Sequence, residues 1–381
     1  MQLSDVIEQS AAAALRLQRP DGAFPAGRNG PYRDTETPAR NTAHWLVTLL
    51  DAHARSGQVR FLDAAARAAA YLTTPAARPH GATFLCRTNP AKDGCNGLIG
   101  QAWVIEALST AASALGETSY RTLAERVFQL HPFDSEAGVW RIVDVNRRVG
   151  PVDRAFNHQL WFAVAGSLLD PRPDGLIGRQ VHRFLDASRT LLRVAPSGRI
   201  RHRISHSAAE LSANVPACER SRLPTAISAP LRRARSVARA PKRWLWEVRR
   251  EIGYHAFNLY GFAVLRQRIP THPVWESEAL RAALHFLSRA VYSLGLEGNP
   301  YGYPYNPSGL EVAFALQVFG PSASSGERPD ARWVTRQLAR TYDWAARMMN
   351  RGTDDQATLA ARLYEACRLR DVPVKLGTRR A

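Results

Sequence analysis

Read for the spacing of apolar and polar residues alone, the chain is helical for most of its length. Apolar positions keep helical intervals from about Ser4, a good N-cap with Glu8 nearby, to Gln18. The same pattern predicts helices over about 41–56, 59–73, 96–115, 118–130, 153–169, 174–193, 251–268, 274–292, 308–320, 329–349 and 354–369. A long loop rich in Pro and Gly, RPDGAFPAGRNGPYRDTETP, separates the first helix from the second. Two stretches alternate instead. GVWRIVDVNRRVGP reads as a short β-hairpin, and RVAPSGRIRHRIS as a second with Ser197-Gly198 at its turn. Residues 206–245 lack a clean period and carry many arginines.

The pattern also repeats. Trp45, Trp103 and Trp161 are spaced 58 residues apart, in AHWLVTLLDA, GQAWVIEALS and HQLWFAVAGS. A fixed period of this size means one supersecondary unit built several times. Each unit is an apolar helix, a turn with Gly, and an amphipathic helix. Twelve or thirteen helices, mostly in hairpin pairs, predict an all-α (α/α)6 toroid of six inner and six outer helices, with one or two short β-hairpins. A single domain over 1–381 is expected, with a basic insertion at about 196–248. The apolar, small-residue-rich helices 41–56, 96–115 and 153–169 suit the inner ring.

Polar residues gather in and just before the first turn of the inner helices. Asn41 and His44 open the first repeat. Asp93, Asn96 and Gln101 open the second, and Asp153, Arg154, Asn157, His158 and Gln159 the third. Tyr254, His255 and Asn258, then Asn306 and Glu311, open later helices, and NPYGYPYNPSG sets Tyr301, Tyr303 and Tyr305 on a Pro/Gly loop. Inner helices of a toroid run parallel, so these openings meet at one mouth. Helix N-termini favour anions such as carboxylates, and aromatic faces beside amides suit sugar rings. Taken singly, Asn41 and Asn157 read as helix caps, His44 as a satisfied core histidine, and the tyrosine loop as a packed turn. FNHQLW is harder to set aside, because Asn, His and Gln heading an apolar helix are costly to bury without partners.

Composition adds little to this picture. The net charge of +18 comes with only three lysines, so it reads as a genomic arginine bias, and with no nucleic-acid-binding motif no such partner is expected. Cys86, Cys95, Cys218 and Cys367 fit neither a zinc site nor a disulfide framework. No metal or cofactor is implied. No signal-like start or apolar run of spanning length is seen, so a cytoplasmic location is expected. Residues 206–250, with Trp244 and Trp246, read either as a solvated insertion or as a peripheral contact with an anionic glycan or membrane surface.

KDGCNGLIGQAWVIEAL, HPFD at 131–134, VDRAFNHQLWFA, EIGYHAFNLYGFA, YGYPYNPSGLEVAFAL and LQRPDGAFPAGRNGPYRDTETPARNTAHWL resemble the AglQ-like proteins of archaeal N-glycosylation and bacterial surface-polysaccharide gene clusters. The resemblance runs over about 1–170 and 250–320. It implies an (α/α)6 toroid that builds or trims uronic-acid-containing surface glycans as a hydrolase or isomerase, and it supplies no catalytic assignments.

Two enzymatic readings follow. A glycoside hydrolase needs two carboxylates across the bond, here drawn from Asp93, Asp153 and Glu311, with Arg154 on a substrate carboxylate. An epimerase, isomerase or lyase needs an acid–base pair, here His158 and His255, with Tyr303 or Tyr305 as alternatives. The three acids heading the motifs tilt the sequence reading toward hydrolysis. The expected partner is a sugar or uronic-acid oligosaccharide, free or lipid-linked. Substrate-binding roles fall to Asn41, His44, Asn96, Gln101, Asn157, Gln159, Asn258, Tyr301, Tyr303, Tyr305 and Asn306. A non-catalytic glycan-binding protein and a terpenoid-cyclase-like toroid are the other classes, the latter weakened by the absence of a DxDD motif.

Overall fold

The computed structural model describes residues 1–204, 244–320 and 328–375. Long helices alternate around a closed ring. The inner helices are α2 (Ala39–Ser56), α4 (Gly97–Leu115), α6 (Phe156–Leu169), α8 (His255–Arg268) and α11 (Ser308–Phe319). A sixth inner element joins α13 (Gln356–Ala361) to a 3-10 helix, Arg362–Arg368. Each packs on the next, and the Arg362–Arg368 turn packs on both α11 and α2, which closes the ring. Outside lie α1 (Leu3–Ala14), α3 (Val59–Thr73), α5 (Thr118–Gln129), α7 (Leu176–Leu191), α9 (Glu278–Phe286) with the short α10 (Ala290–Leu296), and α12 (Pro329–Thr341). This is the (α/α)6 toroid.

The inner helices are apolar almost all round, as helices buried on every side must be. Trp45, Trp103 and Trp161 are all buried. The outer helices α3, α7 and α12 bury one face only. Gly57 and Gly116, both left-handed, end α2 and α4 at equivalent places and release the chain into the outer helix. The two chain ends pair across the seam: Leu3 N–H donates to Val372 O (3.0 Å) and Val374 N–H to Met1 O (2.9 Å). α4 is long and apolar enough to cross a membrane, yet 72% of that stretch is buried inside the ring.

A three-stranded antiparallel sheet, β1 (Phe133–Asp134), β2 (Val139–Val143) and β3 (Val149–Val152), stands at one end of the ring. The second hairpin is also present: Val194 bridges Ile200, and the turn at Ser197-Gly198 is closed by Gly198 N–H to Ala195 O. Several expected helices differ, the one over 354–369 among them, which becomes α13 and the 3-10 helix Arg362–Arg368. The 251–268 helix starts earlier, as a stretch 244–253, and breaks at Tyr254 before α8. The 274–292 helix is a 3-10 turn followed by α9 and α10. The 329–349 helix stops at Thr341, because Asp343 caps the N–H groups of Ala345 and Ala346 and turns the chain into a hairpin, β4 (Tyr342–Asp343) with β5 (Met348–Met349). Most of the segment 206–245 lies outside the described residues.

Candidate active site

A cavity of about 170 Å³ opens at the end of the ring where the inner helices begin. That is comparable with the ~150 Å³ cavity that admits one benzene ring. Its walls combine aromatic faces, cations and two imidazoles.

Trp103, Tyr32, Tyr254, Phe257 and Tyr305 form the aromatic walls. They are held by polar ties: Tyr254 Oη donates to Tyr32 Oη (3.1 Å), and Tyr305 Oη to Asn29 Oδ1 (2.7 Å). Gly30 is needed here, since a Cβ would sit 2.1 Å from the Tyr305 ring in a left-handed backbone. Arg87, Lys92, Arg250 and Arg362 bring positive charge. Asp34 is the one carboxylate among the lining residues. It is bound by Lys92 (2.7 Å), Asn29 (3.1 Å) and Asn89 (3.0 Å). Burial would raise its pKa, but these donors outweigh burial and hold it below the ordinary value.

His158 stands on the first turn of α6, with its Nδ1 2.7 Å from Asp153 Oδ2. Asp153 also accepts from Leu98 N–H (3.1 Å) and Ala155 N–H (3.1 Å). Burial works against this carboxylate, yet His158 and the two amides keep its pKa lowered. Asp153 is therefore an ionised acceptor that fixes His158 Nδ1 as the protonated nitrogen and leaves Nε2 its lone pair. Gly97 makes room for the pair: a Cβ there would meet Asp153 Oδ2 at 2.4 Å and His158 Nδ1 at 3.0 Å.

His202 arrives from the second hairpin. Its carbonyl accepts from Phe156 N–H (2.8 Å), and Ala155 bridges Arg203, so the hairpin is stitched to the start of α6. The ring leans on Tyr254, and its buried Nδ1 has no protein partner. Burial, then the charge of Arg250, pushes its pKa well below the ordinary histidine value, so it is neutral at pH 7. Asn157 also lines the cavity, with a buried and unpartnered Oδ1.

Of the residues picked out by sequence, Asn96, Asn157, His158, Tyr254 and Tyr305 line this cavity. The others take different places. Asp93 is tied to Arg87 (2.6 Å) and caps Gly97 N–H (2.7 Å). Asp153 stands behind His158. Glu311 is buried below the cavity, 3.1 Å from Arg362, whose same nitrogen holds Glu365 at 2.5 Å. His255 is enclosed, accepting from Ile200 N–H (3.2 Å) and facing Ala283 O (2.9 Å), which leaves it no free nitrogen. Gln101 grips Phe84 N–H (2.8 Å) and O (3.0 Å) and Cys95 O (2.9 Å). Gln159, one period later, grips Trp140 N–H (2.9 Å) and O (2.8 Å) and Asp153 O (2.9 Å). These two amides hold loop backbone at equivalent places in successive repeats.

Asn41 donates to Pro25 O (2.8 Å), Asn258 to Tyr254 O (2.9 Å), and Asn306 to Gly253 O (3.1 Å) and Tyr301 O (2.8 Å). His44 is stacked on Tyr364 at 4.1 Å, deep in the ring. Tyr301 and Tyr303 are buried outside the cavity wall, and Arg154 is exposed. Sequence reasoning missed Asn29, Tyr32, Asp34, Arg87, Lys92, Arg250, Arg362 and His202. Most sit in connecting segments, where no period marks a position.

No family model matches the chain. The chain superposes on D-mannose isomerase with a TM-score of 0.62 at 13% identity, over 96% of this chain and 95% of that one. Cellobiose 2-epimerase from Spirochaeta thermophila gives 0.61 at 16% identity, over 96% of each chain. An inactive α-1,6-mannanase variant from Salegentibacter, in complex with a mannotetraose, gives 0.57 at 14% identity, over 96% and 98%. At such identities these likenesses establish the toroid alone. The sequence is 42% identical over 377 residues to archaeal glycosylation protein Q of Haloferax volcanii, spanning 98% of this chain and 99% of the relative. The chain belongs to the archaeal glycosylation protein Q family.

Proposed function

We propose that the protein is a sugar isomerase or epimerase that moves a proton on a carbon next to a carbonyl or carboxyl group of an anionic sugar, a uronic acid, during glycan assembly. The observation that carries this reading is the pair of imidazoles in one ring-sized cavity, His158 backed by Asp153 and His202 neutral with a free nitrogen. His158 Nε2 takes the proton, and the developing oxyanion faces the cationic wall of Arg87, Lys92, Arg250 and Arg362. Return of that proton to the carbon from the His158 imidazolium completes the rearrangement without any oxidant or reductant, and His202, neutral, stands beside it as an acceptor. The aromatic walls hold the apolar face of the sugar, and a guanidinium holds its carboxylate.

Hydrolysis is less well supported. It asks for two carboxylates facing the scissile bond, whereas Asp93, Asp153 and Glu311 are all engaged behind the wall. The test is incubation with uronic acids and uronic-acid oligosaccharides, free and lipid-linked, in deuterated water, followed by NMR. Deuterium at a ring or chain carbon, lost in His158→Asn and in His202→Asn, is the expected outcome. New reducing ends without carbon-bound deuterium would overturn the reading in favour of hydrolysis.

A further inference from the structure

The described surface exposes ten large hydrophobic side chains, and five of them fall in two adjoining segments. Trp244 (62% exposed), Leu245 (52%) and Trp246 (44%) open the helical stretch 244–253, and Val291 (52%) and Leu294 (71%) project from α10. The two segments are braced together. Asn299 Nδ2 donates to Arg249 O (2.8 Å), Arg249 donates to Gly298 O, and Gly295 lies against Ile252, where an added Cβ would approach to 2.9 Å. Apart from the edge of Trp246 on Tyr301 these side chains stay at the surface, and large apolar groups gathered at a surface mark a place of contact.

The charge around them points to what makes that contact. Arg249 and Arg289 are exposed on the same two segments. Glu297, at the end of α10, is engaged by Arg340 at 2.8 Å. Trp, Leu and Val flanked by arginine match the boundary of an anionic bilayer, where indole rings sit at the headgroup level and guanidinium groups meet lipid phosphates. The site lies beside the cavity. The Arg250 guanidinium is 4.5 Å from the Trp246 ring and itself lines the cavity, while Trp246 meets Tyr301 edge-on at 5.6 Å.

We infer that Trp244, Leu245, Trp246, Val291 and Leu294, with Arg249 and Arg289, dock the protein on an anionic lipid surface. The cavity mouth is then held at the headgroup layer, where a lipid-linked sugar presents its glycan. The inference does not rest on the acid–base reading of the cavity, and its test uses no sugar.

The test is sedimentation of the full chain with phosphatidylcholine vesicles, with and without phosphatidylglycerol, at low and high salt. Binding is expected only to the anionic vesicles, with a blue shift of tryptophan emission and quenching by lipids brominated near the headgroup. Val291→Ser with Leu294→Ser, and separately Trp244→Ser, are expected to weaken binding about tenfold or more. All three side chains are exposed, so the melting temperature stays unchanged and loss of binding is not loss of fold. Unchanged binding in these variants would overturn the proposal and assign the attraction to net charge elsewhere on the chain. Failure of the parent protein to bind anionic vesicles would overturn it as well.

Discussion

Asp153 Oδ2 lies 2.7 Å from His158 Nδ1, and Leu98 and Ala155 lend it two backbone N–H groups. A carboxylate so held orients one imidazole nitrogen and leaves the other for chemistry. Asp153→Asn keeps the shape but can present an amide N–H where an acceptor is required. A fall in kcat of about 10²-fold or more is expected, with KM little changed. Steady-state kinetics with the substrate found in deuterium exchange checks it. Equal loss in Asp93→Asn would count against this division of roles.

Gly97 carries a φ of +58° and leaves no space for a side chain beside that pair. Gly97→Ala is expected to cost about 1–2 kcal/mol in stability from the left-handed backbone. Activity should drop far more than this, because the new methyl group displaces Asp153 or His158. Urea unfolding read beside the exchange rate separates the two effects.

Gln101 and Gln159 each hold three backbone groups of the segments before their helices, Gln159 two of them on Trp140 of β2. Replacing either by Ala orphans those groups, with an expected loss of about 2–4 kcal/mol. At temperatures where the variants stay folded, KM should be close to that of the parent. A raised KM at unchanged stability would return these residues to the substrate.

Burial lowers the pKa of His131 and of His255 to about 4. Both histidines take up a proton near pH 6.5 when unfolded, so the unfolded state binds more protons between about pH 6.5 and 4. Stability from these groups is complete above pH 6.5 and falls as the pH drops, by about 1.4 kcal/mol per unit for each. Urea unfolding across this range should show the slope, and His255→Gln should make it shallower.

Glu311 and Glu365 share Arg362 in a fully buried site. Burial, then the charge of Glu365, raises the pKa of Glu311. Burial also raises Glu365, to about 7, against the opposing pull of Arg362. The sign here is opposite to that of the histidines: this contribution is complete below about pH 4.5 and is lost as pH rises through the folded values. Glu311→Gln leaves one carboxylate for one guanidinium. It is expected to stabilise the protein at pH 8 relative to pH 5 by on the order of 1 kcal/mol, again read from urea unfolding.

The ring was legible because its evidence is periodic. Tryptophans 58 residues apart mark the first three inner helices, and glycines turn the chain out of the first two. The polar helix openings were legible as a group but not in their individual duties. A glutamine that clamps a loop and an asparagine that faces a cavity stand at neighbouring positions of one motif, and only the path of the loop tells Gln159 from Asn157. Arg362 carried no signal of its own within the helix expected over 354–369, where the last inner element tightens into a 3-10 turn and buries it. His202 fell in a stretch set aside as an insertion, and its role depends on a hairpin that folds back onto α6.

The pairing of the first and last described residues across the seam has a mechanical consequence. An open solenoid needs a specialised repeat at each end to shield its last apolar face. A hoop has no last face, so every hairpin leans on two others and none can fray alone. Unfolding should therefore be all-or-none. New ends introduced at the left-handed glycine turns, such as Gly57 or Gly116, with the old ends joined, should leave the same hoop intact.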